Sequence, residues 1–378
     1  MTTFLQLHYL TVYPPSNPNR DDMGRPKQAL IGGAPRLRLS SQSIKRAVRT
    51  SPLFQEALAG HIGDRTKRIG EVVRDALDGT GEADVIRRVA IGVADVFAKM
   101  DAKANADETK IRTAQLAFIS PDERVAAIET ARKWMAEGLI PPEAGTKLNK
   151  EQLAAQKKEE KALVGTILRS ADGAADIAMF GRMLADDPGF NREAAVQVAH
   201  AFTTHRAVIE DDFFTAVDDL KNPAEDSGAE HVGEHAFGSG VFYTYTCVNC
   251  DLLVKNLAGD LDIAATSAKT LAEALAIATP SGKQNSHAHH PRAAFIRAEM
   301  GSMQPRDLSG AFFNPIPPGN GLEASIKALQ QTVTGIDRVY GSSFNDALEI
   351  DVSSADSATM VDLRDFAEKA VRQVGTDG

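Results

Sequence analysis

Strand-like segments occur near both ends of the chain, and a long run of helical patterns separates them. Apolar and polar side chains alternate over "TTFLQLHYLTVY" at residues 2–13, and "SGVFYTYTCVN" at residues 239–249 is also strand-like, so both are predicted as strands. Between roughly residues 55 and 180, apolar residues recur at helical spacing, interrupted by turn signals such as "DGTGEAD" and "LIPPEAGTK". The sequence therefore predicts an α+β fold whose core is interrupted along the chain by a helical insertion.

Further local patterns refine this outline. The pair Pro14-Pro15 is expected to end the first strand, because proline cannot donate to a sheet ladder. "DIAMFGRM" at residues 176–183 is predicted as strand-like, and residues 220–240 are predicted as a loop. Helices are predicted over residues 262–279 and 321–340.

Length and cysteine content limit the class of protein. A chain of 378 residues suggests about two to three domains. No stretch approaches the ~20 apolar residues that span a bilayer, and the N-terminus lacks the pattern of a signal peptide. The chain has two cysteines, Cys247 and Cys250, which are too few to stabilise a secreted protein of this size through disulfide bonds. We therefore expect a cytoplasmic protein without a membrane partner.

Positive charge is concentrated at the start of the chain. Residues 1–50 hold eight basic and two acidic residues, a net charge of +6, whereas the other 328 residues hold 34 basic and 49 acidic residues, a net charge of −15. Because binding of a polyanion depends on the local patch rather than on the total charge, the acidic balance does not exclude nucleic acid. The first 50 residues are the candidate polyanion site.

The stretch "LSSQSIKRAVRTSP" at residues 39–52 predicts a short amphipathic helix. Ser40 or Ser41 can serve as its N-cap, and the first backbone N–H groups could form an anion site. One face carries polar and basic side chains at helical spacing, namely Gln42, Lys45, Arg46 and Arg49. Ile44, Ala47 and Val48 lie on another face that can pack against a sheet. The pattern fits phosphate binding, and it also fits a solvated helix with no ligand.

The segment before this helix adds further cations. Arg20, Arg25 and Lys27 lie in a loop, and Gly32-Gly33 could let the backbone approach a ligand closely. Just before the helix, Arg36 and Arg38 alternate with leucines, which predicts a short strand with a basic face.

Several motifs in order along the chain resemble one family. The N-terminal pattern "NRDDM…K.A..GG..R.R.SSQS.KRA.R" is similar to the signature of the CasC-type backbone subunit of the type I-E CRISPR surveillance complex, Cascade. Further matches are "FGRM" at 180–183, "HAFTTH" at 200–205, "DDFFTAVDDL" at 211–220, "FGSGVFYTY" at 237–245 and "GKQNSHA" at 282–288. The resemblance runs from residue 4 to about residue 315.

This resemblance implies a hand-like α+β fold with an RRM-like (ferredoxin-like) palm, inserted helical fingers and a thumb hairpin. The palm would comprise residues 1–58, which hold the RNA-binding loop and helix, together with residues 166–199 and 241–378. The fingers would be residues 59–165, and the thumb residues 200–240.

The resemblance also implies the function and the partners. Family members are not enzymes: copies assemble head to tail along a CRISPR RNA (crRNA), kink it and present it for pairing with a target DNA strand in antiviral defence. The partners would be crRNA, the target DNA strand, other copies of the chain, and the large, small, crRNA-end-capping and crRNA-processing subunits of the complex. No cofactor or metal is implied. The residues carried over as RNA-binding are Arg20, Lys27, Ser40, Ser41, Gln42, Lys45, Arg46, Arg49, Met183, Thr203, Thr204, His205 and Lys283.

Within this set the resemblance gives particular roles to some residues. Met183 would be an apolar wedge near a kinked nucleotide, and an unbranched, adaptable side chain suits that role. The thumb of one copy would fold over RNA held by its neighbour near Thr203, Thr204 and His205. Lys283 would add a contact to the RNA backbone or to a neighbouring copy.

Two alternatives remain open at this stage. Asp21 and Asp22 adjoin the predicted RNA-binding loop, so a metal-dependent RNA-cleaving backbone subunit is one alternative. The spacing Cys247-Val-Asn-Cys250, with His287, His289 and His290 in another loop, could indicate a zinc or redox site. A single CxxC pair is weak support for zinc, and a strand continuing through both cysteines would place them on opposite faces.

Overall fold

The chain forms two compact units in a computed structural model that describes residues 1–142, 162–184, 187–216, 231–342 and 344–374. The first unit comprises Met1–Ala57, Val196–Asp251 and Ala265–Gly378, and the second comprises Leu58–Ala195 and Leu252–Ala264. The predicted α+β class is confirmed. Parts of the predicted fingers (residues 143–161) and of the predicted thumb (residues 217–230) lie outside the described residues.

Strands and helices occur in mixed order along the chain. The strands are β1 (Phe4–Ser16), β2 (Gln28–Ile31), β3 (Ala34–Leu39), β4 (Asp64–Thr66), β5 (Ala117–Ile119), β6 (Val196–Val198), β7 (Ala201–Thr203), β8 (Glu210–Ala216), β9 (His231–Asn249), β10 (Ala293–Gly301) and β11 (Asp346–Asp351). The helices are α1 (Ser41–Arg49), α2 (Pro52–Ala57), α3 (Ile69–Ala76), α4 (Ala83–Ala94), α5 (Pro121–Glu137), α6 (described over residues 162–167), α7 (Ala175–Phe180), α8 (Cys250–Asn256), α9 (Leu261–Ile277), α10 (Gln284–His287), α11 (Gly321–Tyr340) and α12 (Met360–Arg372).

An antiparallel sheet forms the centre of the first unit. Its order is β11-β10-β1-β9-β7-β3-β2, and β6 and β8 also pair with β9. Side chains of β1 point alternately to two cores: Leu10 packs in a cluster with α11, and Tyr13 packs in a cluster with α1 and Leu275 of α9. The Tyr9 hydroxyl donates a hydrogen bond to the Ala272 carbonyl at 2.8 Å, which fixes α9 to the sheet. Helices therefore cover both faces of the sheet.

Three local predictions are wrong. β1 continues through Pro14-Pro15 to Ser16, which it can do because pairing with β10 ends at Thr11 and the prolines have only β9 beside them. Residues 175–180 form helix α7; five consecutive buried residues hide the period that separates a helix from a strand. The glycine-containing segment from His231 belongs to strand β9 because it pairs with β8.

The second unit is mainly helical. Its core contains residues of α3, α4 and α5, such as Val73, Val89 and Ala127, and a two-stranded β4-β5 sheet lies beside them. A capping box starts α5, where the buried Glu123 carboxylate accepts from the Ser120 backbone and from the Arg182 guanidinium at 2.5 Å. In the part of the chain that the structure describes, no helix is long and apolar enough to cross a membrane.

Arg36 is buried completely, so the predicted basic face of β3 is wrong at this residue. Its guanidinium donates to the carbonyls of Thr203 at 2.8 Å and Phe312 at 2.9 Å. Nearby, Gly32 adopts φ +57, and a Cβ there would lie 1.7 Å from the Phe313 oxygen. The close approach expected of Gly32 is therefore to the chain itself rather than to a ligand.

We predict that Arg36→Met lowers the free energy of unfolding by about 3 kcal/mol, because it leaves buried carbonyls without donors. Urea denaturation followed by circular dichroism measures this change. Arg38→Met is the control, since Arg38 lies two residues along the same strand and is partly exposed. Equal losses in the two variants would contradict the structural role of Arg36.

Candidate nucleic-acid interface

Helix α1 presents the predicted polar and basic face. Ile44 and Val48 are buried, and Ile44 packs with Leu37, Leu39 and Phe242, so the opposite face points away from the core. Gln42 and Arg46 are exposed, and Lys45 and Arg49 are partly exposed. Partial burial lowers the pKa of Lys45 because it penalises the charged form. We call this surface of α1, with Lys27 and Arg38 beside its start, the basic ledge.

The start of α1 is already hydrogen-bonded within the protein. Ser40 is the N-cap, and its hydroxyl accepts from the Ser43 backbone N–H at 3.3 Å. The N–H of Ser40 donates to Asn19 Oδ1 at 2.8 Å, and the N–H of Ser41 donates to His200 Nδ1 at 3.0 Å. These three N–H groups are therefore not available for the predicted backbone anion site, because protein atoms already accept from them.

Backbone hydrogen bonds attach the preceding loop to the ledge. The Lys27 N–H donates to the Asn19 carbonyl at 2.9 Å, and the Lys27 carbonyl accepts from the Arg38 N–H at 2.8 Å. Together with the Asn19–Ser40 bond, they connect the loop, β3 and the first residue of the helix. Lys27 is therefore placed beside the start of α1 by backbone contacts and not by its own flexible side chain.

His200 belongs to the ledge, although sequence reasoning did not select it as a binding residue. Its Nδ1 also accepts from Arg38 Nη1 at 3.3 Å. Burial lowers the pKa of His200, and the positive charges of Arg38 and Lys27 lower it further. The imidazole is therefore neutral at neutral pH and orients two donors without adding charge. Only tertiary pairing of β3 with β7 brings His200 here, so no local sequence pattern could have shown it.

The carboxylate of Asp21 forms hydrogen bonds within the loop that contains Arg20. Asp21 Oδ1 accepts from the N–H groups of Met23 at 3.0 Å and Arg25 at 2.9 Å. Arg25 extends to Asp211 of β8, with an N–O distance of 2.9 Å. Arg20 and Asp22 are exposed. Asp21 thus stabilises the loop that presents Arg20.

The last residue of β7 and the two residues after it use their side chains inside the first unit. Thr203 Oγ1 accepts from the Leu37 N–H at 3.2 Å, and Thr204 Oγ1 accepts from the Ser325 hydroxyl at 2.9 Å. His205 Nε2 accepts from the Val241 N–H at 3.2 Å. Thr203 and Thr204 are buried, and their contact with RNA stays a prediction.

Met183 lies in the second unit and is 83% exposed. The residues on either side of it are fixed. Arg182 forms a buried ion pair with Glu123, and the Leu184 N–H donates to Asn191 Oδ1 at 2.6 Å. An exposed methionine on a constrained backbone can contact a ligand without reordering the chain.

Lys283 and the cysteines complete the predicted set. Lys283 adopts φ +54 before α10 and lines a cleft with Arg20. Cys247 and Cys250 are buried free thiols; burial raises the pKa of Cys247 to about 11 and raises that of Cys250 further. They do not share one strand, since β9 ends at Asn249 and α8 begins at Cys250. No cluster of three or more metal-ligating side chains occurs among the described residues.

Comparison with known proteins relates this arrangement to one group. The model of a Cas family described as "CT1975-like protein" matches residues 5–373. A chain of a solved "CRISPR RNA-guided surveillance complex, pre-nicking" is 29% identical with a TM-score of 0.81, covering 97% of this chain and 100% of that chain. A chain of a "CRISPR RNA-guided surveillance complex" is 25% identical with a TM-score of 0.69, covering 97% and 99%. No curated protein matches this chain.

We predict that Ser40→Ala lowers the free energy of unfolding by about 1 kcal/mol, because it removes the N-cap of α1. Ser41→Ala should change it much less, since the Ser41 hydroxyl makes only a long contact, 3.5 Å, to Gln42. Urea denaturation of both variants measures the difference. A larger loss for Ser41→Ala would contradict the assignment of Ser40 as the cap.

Proposed function

We propose, because the chain belongs to the CT1975-like protein family of Cas proteins, that it is a non-catalytic crRNA-binding backbone subunit of a type I-E Cascade complex. A role in a CRISPR surveillance complex follows from the family and from the two similar solved structures. In this proposal the chain binds the guide through its backbone, and copies line up head to tail along the spacer. Two buried free thiols suit a reducing cytoplasm.

The basic ledge is the observation that carries the proposal. It places Lys27, Arg38 and the cations of α1 beside one another, with no acidic side chain in the first turn of α1. Arginine and lysine bind phosphates without reading base identity. A subunit that must hold any guide needs contacts of this kind, while base pairing supplies the sequence specificity.

The remaining predicted features fit this proposal as parts of one particle. Residues 1–58, 166–199 and 241–378 would provide an RRM-like palm, and residues 59–165 would provide the fingers. The β8–β9 pair lies in the proposed thumb, which would cross RNA bound to a neighbouring copy. Met183, exposed on its fixed segment, would separate bases at a kink so that short guide segments stay open to target DNA. The large, small, end-capping and processing subunits would be its other partners.

We propose further that Asp21 and Asp22 do not cleave RNA. Support comes from Asp21, whose Oδ1 accepts two backbone hydrogen bonds within its own loop. These two hydrogen bonds give Asp21 a structural role in the loop without catalysis.

Replacing both Lys45 and Arg49 by alanine should weaken binding of guide RNA regardless of spacer sequence. With about five phosphate contacts, the log–log salt slope should be roughly −3.5 per copy, and the double variant should reduce its magnitude by about 1.4. Titration of labelled single-stranded RNA at several salt concentrations measures both. The matched control replaces Lys327 and Arg338, two exposed cations of α11, by alanine. An unchanged slope in the Lys45/Arg49 variant would show that the ledge does not contribute to RNA binding.

Incubation of the purified complex with complementary RNA and Mg²⁺ should leave the RNA intact. Gel analysis of end-labelled RNA detects cleavage at single-nucleotide resolution. Site-specific cuts that disappear in Asp21→Asn or Asp22→Asn would establish the cleaving alternative instead.

A further inference from the structure

Backbone geometry fixes the path of the chain into Met183. Helix α7 ends at Phe180, and Gly181 then adopts φ +79 and ψ 165, a conformation that is essentially restricted to glycine. A Cβ on Gly181 would also lie 3.0 Å from the Arg192 carbonyl oxygen, closer than ordinary van der Waals contact. The chain therefore turns sharply at Gly181 and enters the short segment that carries Met183.

Backbone groups on both sides of Met183 are hydrogen-bonded to the same two neighbouring residues. The Arg182 N–H donates to the Arg192 carbonyl at 3.0 Å, and the Arg192 N–H donates to the Arg182 carbonyl at 2.9 Å. On the other side, the Leu184 N–H donates to Asn191 Oδ1 at 2.6 Å. The backbone of the methionine is therefore constrained while its side chain stays exposed.

The guanidinium groups of Arg182 and Arg192 are buried within the second unit. Arg182 Nη1 donates to Glu123 Oε2 at 2.5 Å. Arg192 Nη1 donates to Asp172 Oδ1 at 2.8 Å. Both guanidinium groups also donate to the Arg169 carbonyl, at 2.9 and 3.2 Å. The segment around the methionine is thus attached to two buried carboxylates and to one shared carbonyl.

These two arginines cannot supply phosphate contacts, because both are buried and paired. Burial raises the pKa of the Asp172 carboxyl, but hydrogen bonds from Arg192 and Ser120 outweigh burial, so the pKa lies below its usual value. The carboxylate is therefore ionised at neutral pH and balances the charge of Arg192. The surface beside Met183 gains no positive charge from this pair, which leaves a structural role for the arginine.

We propose that Asn191 and Arg192 are positioning residues that hold Met183 ready to enter between two stacked bases. This inference rests on the proposed function, in which Met183 is the wedge at a kink of the guide. Insertion of an apolar side chain has to overcome base stacking, and a side chain on an ordered backbone loses less conformational freedom when it inserts. Asn191 and Arg192 therefore affect the kink and not the retention of the guide, which the basic ledge provides.

The test uses particles assembled from the full chain, its companion subunits and guide RNAs that each carry one 2-aminopurine at a different spacer position. This base fluoresces more strongly when it is unstacked, so the unmodified protein should give a fluorescence rise at the kinked positions. The rise should disappear in Met183→Ala. Asn191→Ala should make it about threefold smaller, because the Leu184 N–H loses its acceptor.

Two further variants serve as controls for Asn191→Ala. Asn191→Asp should keep the rise, because a carboxylate oxygen can accept from the Leu184 N–H. Asn105→Ala is the matched control: Asn105 Oδ1 accepts from the Arg112 N–H at 2.7 Å in the loop between α4 and β5 of the same unit. Its loss should leave the fluorescence unchanged.

Arg192→Met tests the buried ion pair. It removes the partner of Asp172, so it should make the fluorescence rise about threefold smaller and lower the urea midpoint. Arg192→Lys keeps a cation beside Asp172 and should retain more of the rise. Guide affinity should stay unchanged in both variants because the ledge is intact, and this separates positioning from a general loss of structure. If Arg192→Met does not fold, the Asn191 variants decide, since Asn191 is exposed.

The outcomes separate this inference from the proposed function. A full fluorescence rise in Asn191→Ala, or an equal loss in Asn105→Ala, would overturn the positioning role while guide binding and the wedge still stood. A particle that holds its guide but shows no rise with the unmodified chain would overturn both the wedge and its positioning. A particle that binds no guide would overturn the proposed function itself.

Discussion

Burial of one side of α1 holds the cations of its other side in place. Ile44 and Val48 are packed in the first unit, and burial of an aliphatic side chain contributes roughly 1.5–3 kcal/mol. That contribution offsets the repulsion among like charges, which is appreciable within a Debye length of about 10 Å. The ledge is therefore formed before any polyanion arrives, so binding does not have to order the helix.

Neutral acceptors complete this arrangement at the junction of β3 and α1. Asn19 Oδ1 and His200 Nδ1 accept hydrogen bonds from the N–H groups of Ser40 and Ser41. Carboxylates could accept the same hydrogen bonds, but their negative charge would reduce the net positive charge of the ledge. The same hydrogen bonds occupy the N–H groups of Ser40 and Ser41, so these two groups are not available to an anion. Long cationic side chains can follow a series of phosphates, which a single helix terminus cannot.

Local sequence patterns predicted the helices that bury one face and expose the other. The presence of α1 and the limits of α11 followed from the helical spacing of apolar residues, and the α+β class followed from the order of strands and helices. Contacts between residues far apart in the sequence could not be predicted from local patterns. His200 meets Arg38 only through β3–β7 pairing, and Arg36 is buried because carbonyls more than 160 residues away accept from it. The helix α7 was missed because its residues are buried on all sides, which removes the periodicity that identifies an amphipathic helix.

Direct inspection of the nucleic acid carried by the native particle tests the central proposal. The full chain should be purified together with its companion subunits, and the extracted nucleic acid should be sized and sequenced. We predict RNA of uniform length that shares one repeat-derived end and varies in its spacer. A particle that contains no nucleic acid, and that still binds none when mature guide is supplied, would contradict the proposed role.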